Sequence, residues 1–199
     1  MKIVSIPHPT LRKIAATITR VDKKLLQFID ELDKTLAQKD NPRGVGLAAP
    51  QVDTSLRIFA TFLHPNDNES LPPKMRTFIN PSIVEYSQTL VYGSHPDEPR
   101  LEGCLSIPGI YGPVPRAAWV MLEFDEVYGD ELRRKQERFS DFAARVVQHE
   151  SDHLDGVLFI DHTLREGLPL YKENRRKELV ELAPELIETL VRTSQVGSP

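Results

Sequence analysis

The chain has 199 residues, of which 40% are hydrophobic and 27% charged, and its net charge at pH 7 is −4. This length fits one domain with a core, and the acidic balance argues against the basic surface that DNA binding requires. A single cysteine excludes an intrachain disulfide. No run of residues is apolar enough to predict a signal sequence or a membrane span, so a cytoplasmic protein is expected.

The first two thirds of the chain combine one predicted helix with several short predicted strands. Apolar residues recur with helical spacing over 23–37, and Asp22 precedes them as the expected N-cap. The segment 44–51 is rich in glycine and alanine and is predicted to be a loop, as is the polar segment 64–73. Strands are predicted at 57–62, 83–86, 89–92, 118–124 and, after a turn at 128–130, at 131–139.

The last third of the chain has helical periodicity. A helix is predicted over 142–154, and Gly156 is expected to end it. A second helical stretch is predicted over 170–193, with a kink or a break at Pro184. Strands that precede helices without βαβ alternation favour an α+β fold.

The helix predicted over 142–154 carries the pattern His149-Glu150-Ser151-Asp152-His153. Side chains four residues apart lie one above the other on a helix, so both imidazoles can reach one metal ion. Glu150 lies beside the first imidazole, where it can reach a metal-bound water. Two imidazoles alone hold a catalytic metal weakly, so the pattern requires a third ligand from elsewhere in the chain.

Several residues are candidates for that third ligand. One protease pattern places a histidine six residues after His153, but this chain has Phe159 there, and His162 comes three residues later. Other proteases with two such histidines use a downstream glutamate. The available glutamates lie in a charged, amphipathic stretch that is typical of solvated surface: Glu166, Glu173 and Glu178.

The only thiol, Cys104, is the better candidate. It lies in the segment Leu-Glu-Gly-Cys-Leu-Ser-Ile-Pro-Gly at 101–109, where the adjacent glycine allows close approach to a metal. A thiolate with two imidazoles leaves a fourth coordination position open for water. Cysteine is also common as a small buried core residue, so a structural role stays open.

Two other interpretations are weighed against this one. An endoprotease would take its third ligand after His153 and would cleave internal peptide bonds. A structural metal module that binds a partner would need a closed site with four ligands. The remaining histidines have no ligand spacing, which argues against such a module: His8, His64, His95 and His162.

Three segments together resemble the signature sequences of peptide deformylases: GVGLAAPQ at 44–51, EGCLS at 102–106 and QHESDHLDG at 148–156. The likeness extends over about residues 1–163. It implies antiparallel or mixed sheets packed around a central metal-binding helix, with a C-terminal helix. A catalytic domain over 1–165 and a helical extension of it over 166–199 are expected.

The resemblance also implies a reaction and a ligand set. The family removes the N-formyl group from N-formyl-methionyl nascent peptides and releases formate. Cys104, His149 and His153 would bind one divalent ion, with Fe²⁺ expected and Zn²⁺, Ni²⁺ or Co²⁺ as alternatives. A metal-bound water would attack the formyl carbon, and Glu150 would act as general acid and base.

The resemblance further assigns residues to substrate. Gln51 and the backbone N–H of Leu105 would stabilise the oxyanion. Backbone groups of Val45, Gly46 and Gly103 would hold the peptide as an added strand. No contact with DNA or a membrane is expected, whereas contact with the ribosome could use a small basic patch near the C-terminus.

Three further expectations concern the surroundings of the site. Phe142 and Val146 lie two turns and one turn before His149, respectively, and are hypothesised to wall an apolar pocket for the methionine side chain. A pair between Glu102 and Arg116 is hypothesised to fix the Cys104 segment. Some family members carry a basic residue at the position of Tyr111, which leaves its function here open.

Overall fold

A computed structural model of the chain describes residues 1–40, 43–65, 68, 70–93 and 100–195, with side chains up to residue 190. The α-helices are α1 Lys23–Ala37, α2 Asp141–Leu154, α3 Phe159–Arg165 and α4 Pro184–Gln195, and short 3₁₀ helices lie at Pro9–Arg12 and Ala49–Val52. The strands are β1 Gly46–Ala48, β2 Ile58–Leu63, β3 Lys74–Tyr86, β4 Leu90–Val91, β5 Glu102–Cys104, β6 Ile107–Gly112, β7 Arg116–Ala117, β8 Trp119–Tyr128, β9 Glu131–Ser140, β10 Tyr171–Glu173 and β11 Leu179–Glu181.

The described strands form three antiparallel sheets. The largest has the order β1-β2-β3-β8-β9, the second has the order β11-β10-β6-β5, and β4 pairs with β7. The hairpin predicted at 128–130 is present, with Tyr128 opposite Glu131. These sheets and helices confirm the predicted α+β class.

Helix α2 lies between the core and the site, and its two faces differ in chemistry. Ala144, Val147 and Leu154 pack into a buried cluster whose aromatic members, Phe59, Phe78, Phe124 and Phe139, come from β2, β3, β8 and β9. The opposite face carries His149 and His153. Burial of the apolar face stabilises the helix against the large sheet and thereby fixes where the histidines lie.

Helix α1 follows its sequence prediction closely. It begins at Lys23, and Oδ1 of Asp22 accepts a hydrogen bond of 2.9 Å from the backbone N–H of Leu25. This contact satisfies one of the free N–H groups at the helix start. The predicted N-cap and helix are therefore confirmed.

The loop predicted at 44–51 is wrong in part. Residues 46–48 form β1, which pairs with β2 so that Gly46 lies opposite Thr61. Residues 49–52 continue as a 3₁₀ helix. Glycine and alanine have low strand propensity, but hydrogen bonding to a long neighbouring strand overrides it. The second predicted loop, 64–73, contains no strand or α-helix in its described residues, while residues 66, 67 and 69 lie outside them.

The helix predicted over 170–193 is also wrong in its first half. Residues 171–173 and 179–181 form the β10–β11 hairpin, and β10 pairs with β6 so that Tyr171 lies opposite Tyr111. Oδ1 of Asn174 accepts from the backbone N–H groups of Arg176 and Glu178, which shapes the turn. Pro184 starts α4 instead of interrupting a helix, since the first helical position needs no backbone N–H.

Gly156 lies two residues after the end of α2 and has a backbone φ of +72°. A Cβ at this position would lie 2.7 Å from the carbonyl oxygen of Arg12. We expect Gly156→Ala to lower the free energy of unfolding by more than the ~1 kcal/mol that a left-handed φ alone costs. Urea denaturation followed by circular dichroism measures it.

Gly167→Ala is the matched control for that measurement. Its φ is +64°, but no atom lies within 4 Å of the added Cβ. It therefore carries the backbone strain without the collision. Equal destabilisation by the two substitutions would contradict the proposed clash with Arg12.

Candidate metal centre

Strand β5 and helix α2 bring three metal-binding side chains together. One ligand atom each from Cys104, His149 and His153 lie within 4.8 Å of one another. Sγ of Cys104 is 3.2 Å from Nε2 of His153. The two imidazole rings have centroids 5.0 Å apart, as expected for one turn of a helix. Cys104 and the two histidines, which come 45 and 49 positions later in the sequence, thus converge at one point.

Glu102 orients the first imidazole. Its Oε2 lies 3.0 Å from Nδ1 of His149, while its two oxygens accept 2.9 Å bonds from Nε and Nη2 of Arg116. The hypothesised pair between Glu102 and Arg116 is therefore confirmed. Burial opposes the charge on Glu102, but Arg116 and His149 outweigh it and hold the pKa of this carboxyl well below its usual value. The carboxylate remains charged and fixes the ring.

The ionisation of Cys104 fits a metal site. Burial favours the neutral thiol, but the rings of His153 and His149 outweigh it and lower the pKa of Cys104 to about 5. Burial likewise opposes charge on His149, yet hydrogen bonds to Cys104 and Glu102 raise the pKa of that ring well above its usual value. A divalent cation can take the place of a proton that lies between a thiolate and an imidazole. The donor set of one thiolate and two imidazoles fits such an ion.

Glu150 lies in a buried position beside His149 on α2. Its side chain is buried, and among the described residues its Oε2 has no hydrogen-bond partner. Burial raises the pKa of Glu150 to about 7, against the opposing effect of His149. A carboxyl group with a pKa near neutrality can both accept and return a proton at physiological pH.

The carboxylate of Glu150 has room only because residue 46 is glycine. A Cβ on Gly46 would overlap Oε1 of Glu150 and lie 2.7 Å from its carboxyl carbon. Strand β1 and helix α2 therefore approach each other more closely than any side chain at position 46 allows.

Gln51 points its amide nitrogen into the site. Its Oε1 accepts a 2.8 Å bond from the backbone N–H of Ala48, which leaves Nε2 directed at Sγ of Cys104, 3.5 Å away, and at Oγ of Ser106, 3.3 Å away. The side chain is almost fully buried, so its orientation is fixed by these contacts. A donor N–H₂ group is thus held beside the thiol.

The residues assigned to the peptide lie on two outer strands. Gly46 belongs to β1, which is first in the order of its sheet, and Val45 precedes it. Gly103 belongs to β5, which is last in the order of the four-stranded sheet, and Leu105 follows that strand. Tyr111 pairs with Gly103 from β6. Two strand edges therefore flank the group of metal-binding side chains.

The two predicted pocket residues share a face of α2 with the histidines. Phe142 is half-buried and Val146 is buried. Helical spacing brings both to the same side of α2 as His149 and His153. Their role as pocket walls remains a prediction.

Three residues near the site were not predicted, of which Arg145 and Ser106 are buried. Nη1 of Arg145 donates to Glu102, Oδ2 of Asp152 accepts from Arg116, and Oγ of Ser106 accepts from Gln51. Arg145 and Asp152 precede and follow His149 on α2 with helical spacing, and that spacing was the signal in the sequence that could have indicated them.

The positions considered as rival third ligands contribute no ligand atom to the group of metal-binding side chains. Phe159 is buried in an apolar cluster, and Nε2 of His162 bonds to Asp152 at 2.9 Å. The three candidate glutamates are exposed and do not belong to the group of metal-binding side chains: Glu166, Glu173 and Glu178. His95 lies outside the described residues.

Comparison with known proteins decides the family. The family described as polypeptide deformylase matches residues 1–168. This chain belongs to the peptide deformylase family. It is therefore a metal-dependent hydrolase, and the reaction of its family is removal of the formyl group from N-formylmethionyl peptides. The resemblance carried by the three signature segments is confirmed.

Relatives and solved structures agree with this assignment. Peptide deformylase 2 of Nostoc sp. is 40% identical over 183 residues, covering 90% of this chain and 94% of that protein. Peptide deformylase 1B of Arabidopsis thaliana, solved with an inhibitor, has a TM-score of 0.69 and 29% identity, covering 98% of this chain and 88% of that one. The class I type b peptide deformylase of Acinetobacter baumannii, solved with Met-Ala-Ser, has a TM-score of 0.68 and 31% identity, covering 81% and 97%.

No helix among the described residues of this deformylase is both long enough and apolar enough to cross a membrane.

Gly46→Ala tests the close approach between β1 and the acid-base carboxylate. The added methyl group displaces Glu150, and we expect the rate of deformylation to fall by ~10²-fold, as a 1 Å misplacement typically costs. The metal content should remain unchanged, because no metal-binding side chain is touched. Formate release and metal analysis measure the two quantities.

Gly44→Ala is the control for this substitution. A Cβ at that position would press on the end of the Leu36 side chain instead of on Glu150. We expect some loss of stability with most of the turnover retained. Comparable losses of turnover in both variants would contradict a specific effect on Glu150.

Proposed function

We propose that the chain deformylates nascent polypeptides with an Fe²⁺ ion held by Cys104, His149 and His153. The single observation that carries the proposal is the convergence of these three ligand atoms beside Glu150 and Gln51. The ion, when bound, supplies Lewis acidity that makes water a nucleophile at neutral pH. A thiolate ligand makes the site soft and sensitive to oxidation when it holds iron.

Glu150 moves the protons of the reaction. Its buried carboxylate accepts a proton from the attacking water and returns it to the nitrogen of the departing amine. A pKa near 7 supports both transfers, because neither the acid nor the base form is strongly favoured at neutral pH. Among the described residues Oε2 has no hydrogen-bond partner, and a buried carboxylate oxygen requires one, which supports its contact with the attacking water.

Gln51 and Leu105 stabilise the developing oxyanion. Negative charge builds on the formyl oxygen as the tetrahedral intermediate forms, and preorganised N–H donors lower its energy. Nε2 of Gln51 is held towards the site by the Ala48 N–H. The backbone N–H of Leu105 follows Cys104 directly and is proposed as the second donor.

The substrate backbone pairs with the strand edges at Val45, Gly46 and Gly103. Main-chain pairing tolerates any sequence after the methionine, which suits an enzyme that processes many nascent chains. Phe142 and Val146 form an apolar wall for the methionine side chain. This part of the proposal is supported by their place on the histidine face of α2.

The rest of the chain is proposed to serve the same activity. Residues 1–165 form the catalytic domain, and 166–199 extend it, supported by the pairing of β10 with β6. A nascent-chain substrate supports a cytoplasmic location and a contact with the ribosome. The exposed cations of the β10–β11 hairpin are the proposed contact: Lys172, Arg175, Arg176 and Lys177.

Formate release from formyl-Met-Ala-Ser by anaerobically purified protein tests the proposed function. We expect full activity with Fe²⁺ that is lost in air, and stable activity in air with Ni²⁺ or Co²⁺, because only the iron–thiolate site is oxidised readily. Activity of the iron form that persists in air would contradict the Fe²⁺ assignment. No formate release with any of these ions would contradict the function itself.

Gln51→Leu tests the oxyanion role. Loss of one such donor typically lowers turnover by ~10²–10³-fold. We expect a decrease of that size with normal metal content, measured by formate release and metal analysis. Gln136→Leu, on an exposed part of β9, is the matched control and should keep full turnover. Near-normal turnover of Gln51→Leu would refute the role.

A further inference from the structure

Arg145 is a buried cation whose contacts the proposed mechanism does not use. It lies on α2 one turn before His149 and is only 5% exposed. Its Nη1 donates to Oε1 of Glu102 at 2.5 Å and to the carbonyl of Val114 at 3.0 Å. Its Nη2 donates to the carbonyls of Val91 at 2.7 Å and Gly93 at 3.3 Å. A buried arginine with so many partners is held in one position.

The contact with Arg145 completes the hydrogen bonding of Glu102. A carboxylate has about four acceptor positions. Oε1 accepts from Nε of Arg116 and from Arg145, while Oε2 accepts from Nη2 of Arg116 and lies 3.0 Å from Nδ1 of His149. Each oxygen therefore has two partners, and the direction towards His149 is fixed by the other three bonds.

These contacts follow a common register between β5 and α2. Glu102 and Cys104 both face α2, although the pairing of β5 with β6 is irregular between Gly103 and Cys104. Arg145, His149 and His153 lie on successive turns of the helix. Arg145 and His149 contact Glu102, and His153 contacts Cys104. When Arg145 contacts Glu102, α2 therefore lies along β5 in the position that also brings the imidazoles to the thiol.

We propose that Arg145 is a positioning residue that fixes the register of α2 along β5 and thereby the spacing of the three metal ligands. The inference rests on the proposed metal site. Hydrogen bonds from Arg145 to the carbonyls of Val91, Gly93 and Val114 tie the chain before and after the Cys104 segment to the same turn of α2. A lysine keeps the charge at position 145 but cannot make these divergent bonds together.

Co²⁺ binding by the full chain tests the proposal. In Arg145→Met, which replaces the cation with an apolar side chain of similar length, Glu102 loses one of the bonds that hold it against His149. We expect Co²⁺ affinity to fall by ~10-fold, the lower end of the effect of losing a direct partner of a metal ligand. The thiolate-to-cobalt absorption should weaken as well. Competition with a chelator and absorption spectroscopy measure both, and circular dichroism checks the fold. Arg145→Lys should show a smaller loss of the same kind.

Arg76→Met is the matched control. Arg76 makes a two-bonded pair with Glu137 at 2.8 Å on the large sheet, away from the metal ligands. It should lower thermal stability without changing Co²⁺ affinity or the absorption spectrum. A purely structural role of Arg145 would give the same result in Arg145→Met.

The outcomes separate the two proposals. If the wild-type chain fails to bind Co²⁺, the metal site itself is refuted. If the wild type binds and folded Arg145→Met binds with equal affinity and an equal spectrum, the register proposal is overturned. Should Arg145→Met fail to fold, Arg145→Lys decides: weaker binding by the folded variant supports the proposal, and unchanged binding overturns it.

Discussion

A buried carboxylate, Glu102, joins the two parts of the chain that supply the proposed metal ligands. It precedes Cys104 by two residues on β5 and contacts His149 on α2. A buried charge is costly unless it is paired and fully hydrogen-bonded, and here two guanidinium groups and an imidazole surround it. The strand and the helix can therefore approach only in the arrangement that satisfies this carboxylate, which is also the arrangement that brings the thiol to the imidazoles.

Helix α2 couples the stability of the fold to the geometry of the site. One face packs on the aromatic cluster of the large sheet, and the other carries the histidines beside β5. Since the helix is rigid, packing on one side determines positions on the other. The near contact of Glu150 with Gly46 extends the same constraint to β1, so that an acid-base group, the metal-binding side chains and a strand edge all depend on where one helix lies.

The sequence predicted the parts of the structure that depend on local patterns. The helix at 23–37, the hairpin at 128–130 and the α+β class follow from periodicity and turn residues. The strands at 46–48 and 171–173 were missed because pairing with distant strands overrides weak local propensity. Cys104 was found as a candidate ligand from its chemistry and its signature segment. Helical spacing could place Arg145 on the same side of α2 as His149, but its contact with Glu102 depends on how α2 lies along β5, which local patterns do not contain.

X-ray absorption spectroscopy of the zinc-loaded chain tests the central claim most directly, because it measures the atoms around the ion. Ligation by Cys104, His149 and His153 predicts one sulfur at about 2.3 Å and two imidazole nitrogens at about 2.0–2.1 Å. The sulfur contribution should disappear in Cys104→Ser. A spectrum of the wild-type chain with nitrogen and oxygen neighbours alone would contradict the account.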